Sequence, residues 1–346
     1  MYEKSKGRTR RSVTTSEIAR LCGVSRTTVS AVLNGKRNVR ESTRSKILEC
    51  IRAENYDSGM ISRSLVGELS HMVAVLATDL TNPFNMAVFR GVDQVLGEQG
   101  YHILFHKVRH EDGGDPEMLA SLQSCRPAGY MILKGAEGRD GEYVRKILAE
   151  GVPLVALGAV KGNDCHSVRY EKRAAIGLAT DYVIECGHRR LGHLAGPAGT
   201  AGAKERQLGF VESLITHDLH VSDSVIVDAG ETATEGYEAA LELLKDPAKR
   251  PTAVVCFNDM VALGVYRAAH ELSIDIPGEL GVTGFDGLDF TELLGPPLTT
   301  MDIHANQLGK EMAGLLLKVI RGEVGEEKVT EWVEPALVVR GSVRRL

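Results

Sequence analysis

The chain has 346 residues, 43% of them hydrophobic and 25% charged, too many for one ordinary core and enough for two or three globular domains. No window approaches the run of about 18 apolar residues that a membrane helix needs, and no apolar stretch backs the basic N-terminus as a secretory signal would; a cytoplasmic location is expected. The six cysteines are scattered without CxxC or metal spacing, which fits a reducing compartment and small buried apolar sites rather than a disulfide framework or zinc module. The formal charge of −5 is unevenly distributed. Through Leu65 there are fourteen Lys or Arg against six Asp or Glu, a balance of +8, and the rest of the chain carries −13. A basic front on an acidic body is the pattern of a polyanion-binding module attached to an independent globular unit.

In chain order, Val13 to Asn34 comes first. Thr14 followed by Glu17 is a capping box that opens a short helix, and Ile18, Leu21 and Cys22 recur at helical spacing to give it an apolar face. Ala19 is small where a second helix must approach. Gly23 can take positive φ and end the first helix. Ser25 then caps a second helix whose Val29, Val32 and Leu33 turn back to the core. Two short helices across a glycine turn predict a helix-turn-helix with the second helix in the major groove. Its outward residues are Arg26, Thr27, Thr28, Ser30 and Ala31. Arg26 is the expected base reader, because a guanidinium donates two parallel bonds to guanine. Thr28, Ser30 and Asn34 suit phosphate, which fixes register without reading sequence. A third helix, about 41–54, covers the first two with Ile47, Leu48 and Ile51. An ordinary amphipathic hairpin is the bland alternative.

From His71 onward, apolar strands alternate with helical stretches. MVAVLAT, YHILFHKV, GYMILK and PLVALG form one run; LGHLAG, SVIVDAG, AVVCFN and LGVTGF form a second. That rhythm predicts parallel sheets covered on both faces, in two doubly wound subdomains. Ligands in such folds sit beyond the carboxyl ends of the strands, so the cleft between the subdomains is the expected site. Polar residues stand at those ends: Asp79, His106, Lys134, Asn258, Asp259 and Asp286. A structural salt bridge or a solvated charge is the alternative for each.

The strings VTTSEIARLCGVSRTTVSAVLNG, VRESTRSKILECIRAENY and ISRSL resemble the headpiece of the lactose-repressor (LacI/GalR) family. The likeness runs on through LATDLTNPF, ECGHRRLGHLAGP, FNDMVALG, VTGFDG and VVRGS, in the same order, over nearly the whole chain. The resemblance implies an all-α helix-turn-helix headpiece plus an α/β periplasmic-binding-protein-like core of two doubly wound parallel-sheet subdomains. The expected division is a headpiece at 1–57, a hinge helix and linker at 58–70, and a core at 71–346. Within the core, one subdomain takes about 71–165 and 301–328, the other about 166–300 and 329–346, with crossover strands near 165, 300 and 330.

The implied function is sequence-specific transcription regulation, as a repressor, by a cytoplasmic homodimer on palindromic operator DNA, with no catalysis and no cofactor or metal. A small polar effector, a sugar or sugar derivative, would control it allosterically. The DNA-contacting set comprises Thr14, Ser25, Arg26, Thr27, Thr28, Ser30, Ala31, Asn34, Arg63 and Leu65. By family resemblance Leu65 wedges into the minor groove, where contacts on the bent DNA repay the unstacking. The effector set comprises Asp79, Phe84, Asn85, Lys134, Arg206, Asn258 and Asp286. Arg206 would donate in a fork, Asp286 and Asn258 would accept from hydroxyls, and Phe84 would offer an apolar face.

The chain departs from the family pattern in places. Ala31 stands where the family commonly has Arg, Ser58-Gly59 where it has Pro-Asn, and Glu231 where some relatives have an aromatic residue. Three other readings compete: an enzyme built around GHRRLGH at 187–193, a periplasmic-type solute-binding protein, and a regulator driven by a protein co-regulator. The first has no HExxH, GxSxG, P-loop or GxGxxG in a supporting context. The second calls for an export signal and gives no role to the basic helix-turn-helix.

Overall fold

Thr14 opens the first helix through a reciprocal cap. Its hydroxyl accepts from the Glu17 amide at 3.3 Å, and the Glu17 carboxylate accepts from the Thr14 amide at 2.7 Å, satisfying two donors that a helix start leaves unpaired. This helix, α1 (Thr15–Cys22), ends at Gly23 with φ of 64°, a left-handed conformation that glycine adopts without strain. α2 (Arg26–Leu33) and α3 (Glu41–Ala53) complete the headpiece. The computed structural model describes residues 14–33, 39–54, 70–108, 116–133, 141–160 and 165–346. The headpiece core is Ile18, Ala19, Cys22, Val29, Val32 and Ile47, with Leu48 and Ile51 packed against it. Leu21 is 50% exposed and corrects the expected apolar face. Residues 18, 19 and 22 fill the inward arc of the helix, and position 21 lies about 100° round from its centre.

Among the described residues the body holds two six-stranded sheets. The first contains β1 (Met72–Ala77), β2 (His102–Lys107), β3 (Gly129–Ile132), β4 (Leu154–Leu157), β5 (His166–Arg169) and β11 (Thr330–Trp332), in the order β11-β5-β4-β3-β1-β2. The second contains β6 (Leu191–Ala195), β7 (Val225–Asp228), β8 (Ala253–Cys256), β9 (Gly281–Asp286), β10 (Thr299–Asp302) and β12 (Ala336–Val338), in the order β12-β10-β9-β8-β6-β7. The same doubly wound path is thus traced twice. Every residue of β1, β3, β8 and β9 is buried, as expected for inner parallel strands covered on both faces. Each order reverses beside its first strand, and that reversal opens a crevice at the carboxyl ends.

Pairing moves the subdomain boundaries a few residues from those expected. β5 and β11 lie parallel in the first sheet, with Ser167 opposite Thr330. The chain therefore leaves that sheet after Arg169 and after Trp332, rather than at 165 and 328. β10 stays in the second sheet through Asp302, opposite Asp286. Among the described residues, seven further helices follow the strands and an eighth follows a crossing: α4 (Pro83–Glu98), α5 (Pro116–Ser124), α6 (Gly141–Ala149), α7 (Lys172–Glu185), α8 (Ala201–Thr216), α9 (Ala233–Leu244), α10 (Asp259–Glu271) and α11 (Ala305–Ile320). α11 returns to the first lobe and lies against α4. A Cβ on Gly91 would meet the Lys310 amide at 2.9 Å, and one on Gly309 would meet the Val92 amide at 3.0 Å. Backbones can touch there because neither helix presents a side chain.

Candidate functional site

Two polar surfaces stand out, one on the headpiece and one at the carboxyl end of the second sheet. On the headpiece, the Ser25 hydroxyl accepts from the Thr28 amide at 3.0 Å and lies 2.6 Å from the Thr27 hydroxyl and 2.8 Å from that of Thr28. The first turn of α2 thereby becomes a fixed row of hydroxyls. Arg26, Thr27 and Ser30 are exposed, and Thr28 and Ala31 are half-buried. Arg26 thus leaves the helix beside the hydroxyl row, as a donor fork needs to reach a base edge. Thr14 and Ser25 are both helix caps, so their side chains serve the fold first. Asn34, Arg63 and Leu65, with the hinge around them, lie outside the described residues.

The second surface is built on Arg206 and Asp286. Their side chains are 7% and 6% exposed, with Nη2 3.9 Å from Oδ1. The guanidinium lies between two rings, 4.2 Å from the centre of Phe257 and 4.1 Å from that of Phe285. It also donates to the Tyr170 hydroxyl at 3.5 Å. Ring faces are negative, so this stack holds a desolvated cation in one plane. Gly196 makes room for it: a Cβ there would strike the Phe257 ring. Arg206 Nε is buried with no hydrogen-bond partner among the described residues. Asp286 has φ of 122°, a conformation that costs a residue with a side chain about 1–3 kcal/mol and tends to occur at functional sites.

The neighbours of the pair are interlocked. Asn258 caps α10, its carbonyl accepting from the Val261 amide at 2.8 Å while its amide donates to the Glu231 carbonyl at 3.0 Å. Asp259 is fully buried; it accepts from the Leu288 amide at 2.8 Å and from the Thr300 hydroxyl at 2.5 Å. Burial pushes its carboxyl up to about 6 against the pull of those bonds. Asp259 thus ties the turn after Asp286 to the crossover strand β10.

In the first lobe, Asp79 accepts from the Thr81 amide and hydroxyl, each at 2.8 Å. Asn85 is buried and donates to the Asp79 carbonyl at 2.6 Å, leaving its own carbonyl oxygen without a partner among the described residues. Phe84 is buried beside it. Lys134 lies outside the described residues. The expected effector residues therefore fall into a second-lobe group (Arg206, Asn258, Asp286) and a first-lobe group (Asp79, Phe84, Asn85), each at the carboxyl ends of its own sheet.

Sequence reading missed Tyr170, Phe257 and Phe285. A signal existed for two of them, since each phenylalanine directly precedes a polar residue at a strand end, Phe257-Asn258 and Phe285-Asp286. The histidines of GHRRLGH have structural partners. His193 is buried, stacks on Phe210 at 4.9 Å between centroids and shares a 2.8 Å bond with the Val255 carbonyl. Burial holds its imidazole down at about 4. His188 lies 3.0 Å from the Thr252 hydroxyl and 3.2 Å from the Arg344 carbonyl, and burial lowers it too. Among the described residues no three His, Cys, Asp or Glu gather as metal ligands, and no helix is long and apolar enough to cross a membrane.

Comparison with known proteins adds two domain matches. Residues 14–58 match the model for bacterial regulatory proteins of the lacI family, and residues 180–343 match a periplasmic binding protein-like domain. The HTH-type transcriptional repressor PurR of Actinobacillus pleuropneumoniae is 30% identical over 336 residues, 96% of this chain and 99% of that protein. The ribose operon repressor of Escherichia coli is 29% identical over 330 residues, 95% of this chain and 99% of the repressor. A solved structure described as a transcriptional regulator CelR–cellobiose complex is 27% identical, covers 95% of this chain and 99% of its own, and superposes with a TM-score of 0.70.

Proposed function

The chain belongs to the lacI family of bacterial regulatory proteins, and from that premise we propose that it represses transcription under the control of a sugar bound between its two core lobes. It is a DNA-binding regulator with a helix-turn-helix headpiece and a two-lobed effector-binding core. The observation that carries the effector reading is the buried Arg206–Asp286 pair, clamped by Phe257 and Phe285. A guanidinium and a carboxylate side by side offer donors and acceptors in fixed directions, as vicinal hydroxyls require, and the adjoining rings suit the C–H face of a sugar. The relatives named for ribose and cellobiose belong to the same ligand class.

The mechanism follows from the three crossings. A ligand held by the second-lobe group and touched by the Phe84–Asn85 end of α4 favours the closed arrangement of the lobes. The stabilisation equals its difference in affinity for the closed and open forms. Closure turns one lobe on β5, β10 and β11 and changes the spacing of two headpieces in a homodimer. Residues 58–70 then act as the hinge, with Arg63 and Leu65 on the DNA and Arg26 reading a base in each half-site. Selection of bound fragments from random DNA by the full chain is expected to yield a palindrome whose affinity changes when a saccharide is added. Enrichment of single, non-symmetric sites would sink the dimer reading, and indifference to every saccharide would sink the effector reading.

A further inference from the structure

The six cysteines are free thiols, and two of them meet inside the DNA-reading unit. Cys22, in the last turn of α1, is 2% exposed and belongs to the headpiece core. Its sulfur points across at α3, where it donates to the Lys46 carbonyl at 3.8 Å and lies against the thiol of Cys50, one turn further on. Cys50 is half-buried and packs on the same core from its rim. Burial and the facing Cys50 thiol push Cys22 up to about 11, against the pull of the Lys46 charge. Either cysteine alone reads as a small apolar packing residue. Facing each other between two helices, with one sulfur sealed in and the other near solvent, they form a dithiol.

Cys22 immediately precedes Gly23, whose φ of 64° sets the turn into α2, and Ser25 and Arg26 follow directly after that turn. Cys50 instead lies within the longer α3, held to the core by Ile47 and Ile51. A disulfide draws two sulfurs closer than thiols in contact, so the helices must shift where the cysteines join them. The shift falls on the end of α1, which has only the glycine turn beyond it. From there it passes to the hydroxyl row of Ser25, Thr27 and Thr28 and to Arg26. A bidentate contact with a base edge depends on direction, and phosphate contacts fix the register that aims it. A small rotation of α2 therefore costs DNA affinity without unfolding the apolar core behind it.

We propose that Cys22 and Cys50 are a redox-responsive modification site, which closes to a disulfide under a hydroperoxide and thereby weakens operator binding. The Cys50 sulfur attacks one peroxide oxygen and the O–O bond breaks. Water leaves with the thiol proton, the sulfur is oxidised by two electrons to a sulfenic acid, and the peroxide is reduced. The Cys22 sulfur then attacks that sulfur, the S–O bond breaks, and the hydroxide leaves as a second water with the Cys22 proton. Contact between the sulfurs makes this step intramolecular, which offsets the low thiolate content of Cys22. Dithiothreitol returns both thiols and is itself oxidised to its cyclic disulfide.

The experiment treats the reduced full chain with hydrogen peroxide, blocks the remaining thiols with iodoacetamide and maps tryptic peptides by mass spectrometry. Trypsin isolates the two cysteines in residues 21–26 and 47–52, so a species joining those peptides reports the bond. Affinity is read by fluorescence anisotropy on a DNA fragment selected by the reduced chain, before peroxide, after it, and after dithiothreitol. Wild type is expected to give the joined species, to lose about tenfold or more in affinity and to recover under dithiothreitol. Cys50→Ala is expected to match reduced wild type in affinity and thermal midpoint, and to keep that affinity under peroxide. Cys50→Ser repeats the measurement should alanine loosen the headpiece. Absence of the joined species overturns the proposal. So does a peroxide loss that the Cys50 variants share, or a joined protein that binds the fragment as tightly as the reduced one.

Discussion

The headpiece and the core use polar residues in opposite ways. On the headpiece, Arg26, Thr27 and Ser30 stand in solvent on a short helix. Each can meet DNA without disturbing the apolar core of Ile18, Val29, Val32 and Ile47 behind it. In the core, Arg206, Asp286, Asn258 and Asp259 are all buried; Arg206 is held by Asp286 and Tyr170, and Asp259 by Leu288 and Thr300. An exposed side chain such as Arg26 can be exchanged without touching its neighbours, whereas replacing Arg206 or Asp286 alone strands a buried charge, which is costly.

The largest effect should come from breaking the buried Arg206–Asp286 pair. Arg206→Ala leaves Asp286 buried without its cation, and a loss of about 3 kcal/mol or more in unfolding free energy is expected by denaturant titration. A loss below about 1 kcal/mol would mean the pair is not interlocked and the contrast with the headpiece fails.

Two buried groups should give pH effects of opposite sign. Asp259, raised to about 6 in the fold from an ordinary 3.8, gives stability that is present below pH 3.8 and lost as pH rises through 6. His193, lowered to about 4 from 6.5, gives stability that is present above pH 6.5 and lost as pH falls through 4. Each is worth on the order of 3 kcal/mol across its window. Wild type should therefore change little between pH 6.5 and 4 on their account. Asp259→Asn should lose stability steeply on acidification, and His193→Phe should gain it, as read from thermal midpoints across that range. Parallel curves for both variants and wild type would show that neither group titrates as its burial dictates.

A smaller effect is expected on the headpiece. Arg26→Ala should weaken specific operator binding by about 1–3 kcal/mol and relax one base position, with the thermal midpoint near wild type. Unchanged discrimination among operator variants would remove Arg26 from the readout.

Local chemistry was legible in the sequence, and long-range pairing was not. Thr14 and Glu17 announced a cap that formed as read, because three residues of spacing carry the whole interaction. The strands were legible as apolar runs bounded by polar ends, and family resemblance singled out Arg206, Asp286 and Asn258, of which the structure pairs the first two. Leu21 was misread because helical spacing marks a stripe and cannot say which edge of it faces out. The boundaries at 165 and 328 shifted because membership of a sheet is decided by the pairing of 166–169 with 330–332, across more than half the chain. The stack of Phe257, Arg206 and Phe285 joins three distant segments, and no local pattern encodes it.

The proposed control of DNA affinity by a saccharide at Arg206 and Asp286 can be checked in one assay. Its most direct test is operator affinity, by fluorescence anisotropy, of wild type and Asp286→Ala with and without a saccharide that binds wild type. A shift of about tenfold or more is expected in wild type, a factor worth about 1.4 kcal/mol of coupling, and none in Asp286→Ala, with equal affinities in its absence. An Asp286→Ala protein that binds operator normally and still responds at the wild-type saccharide concentration would contradict it.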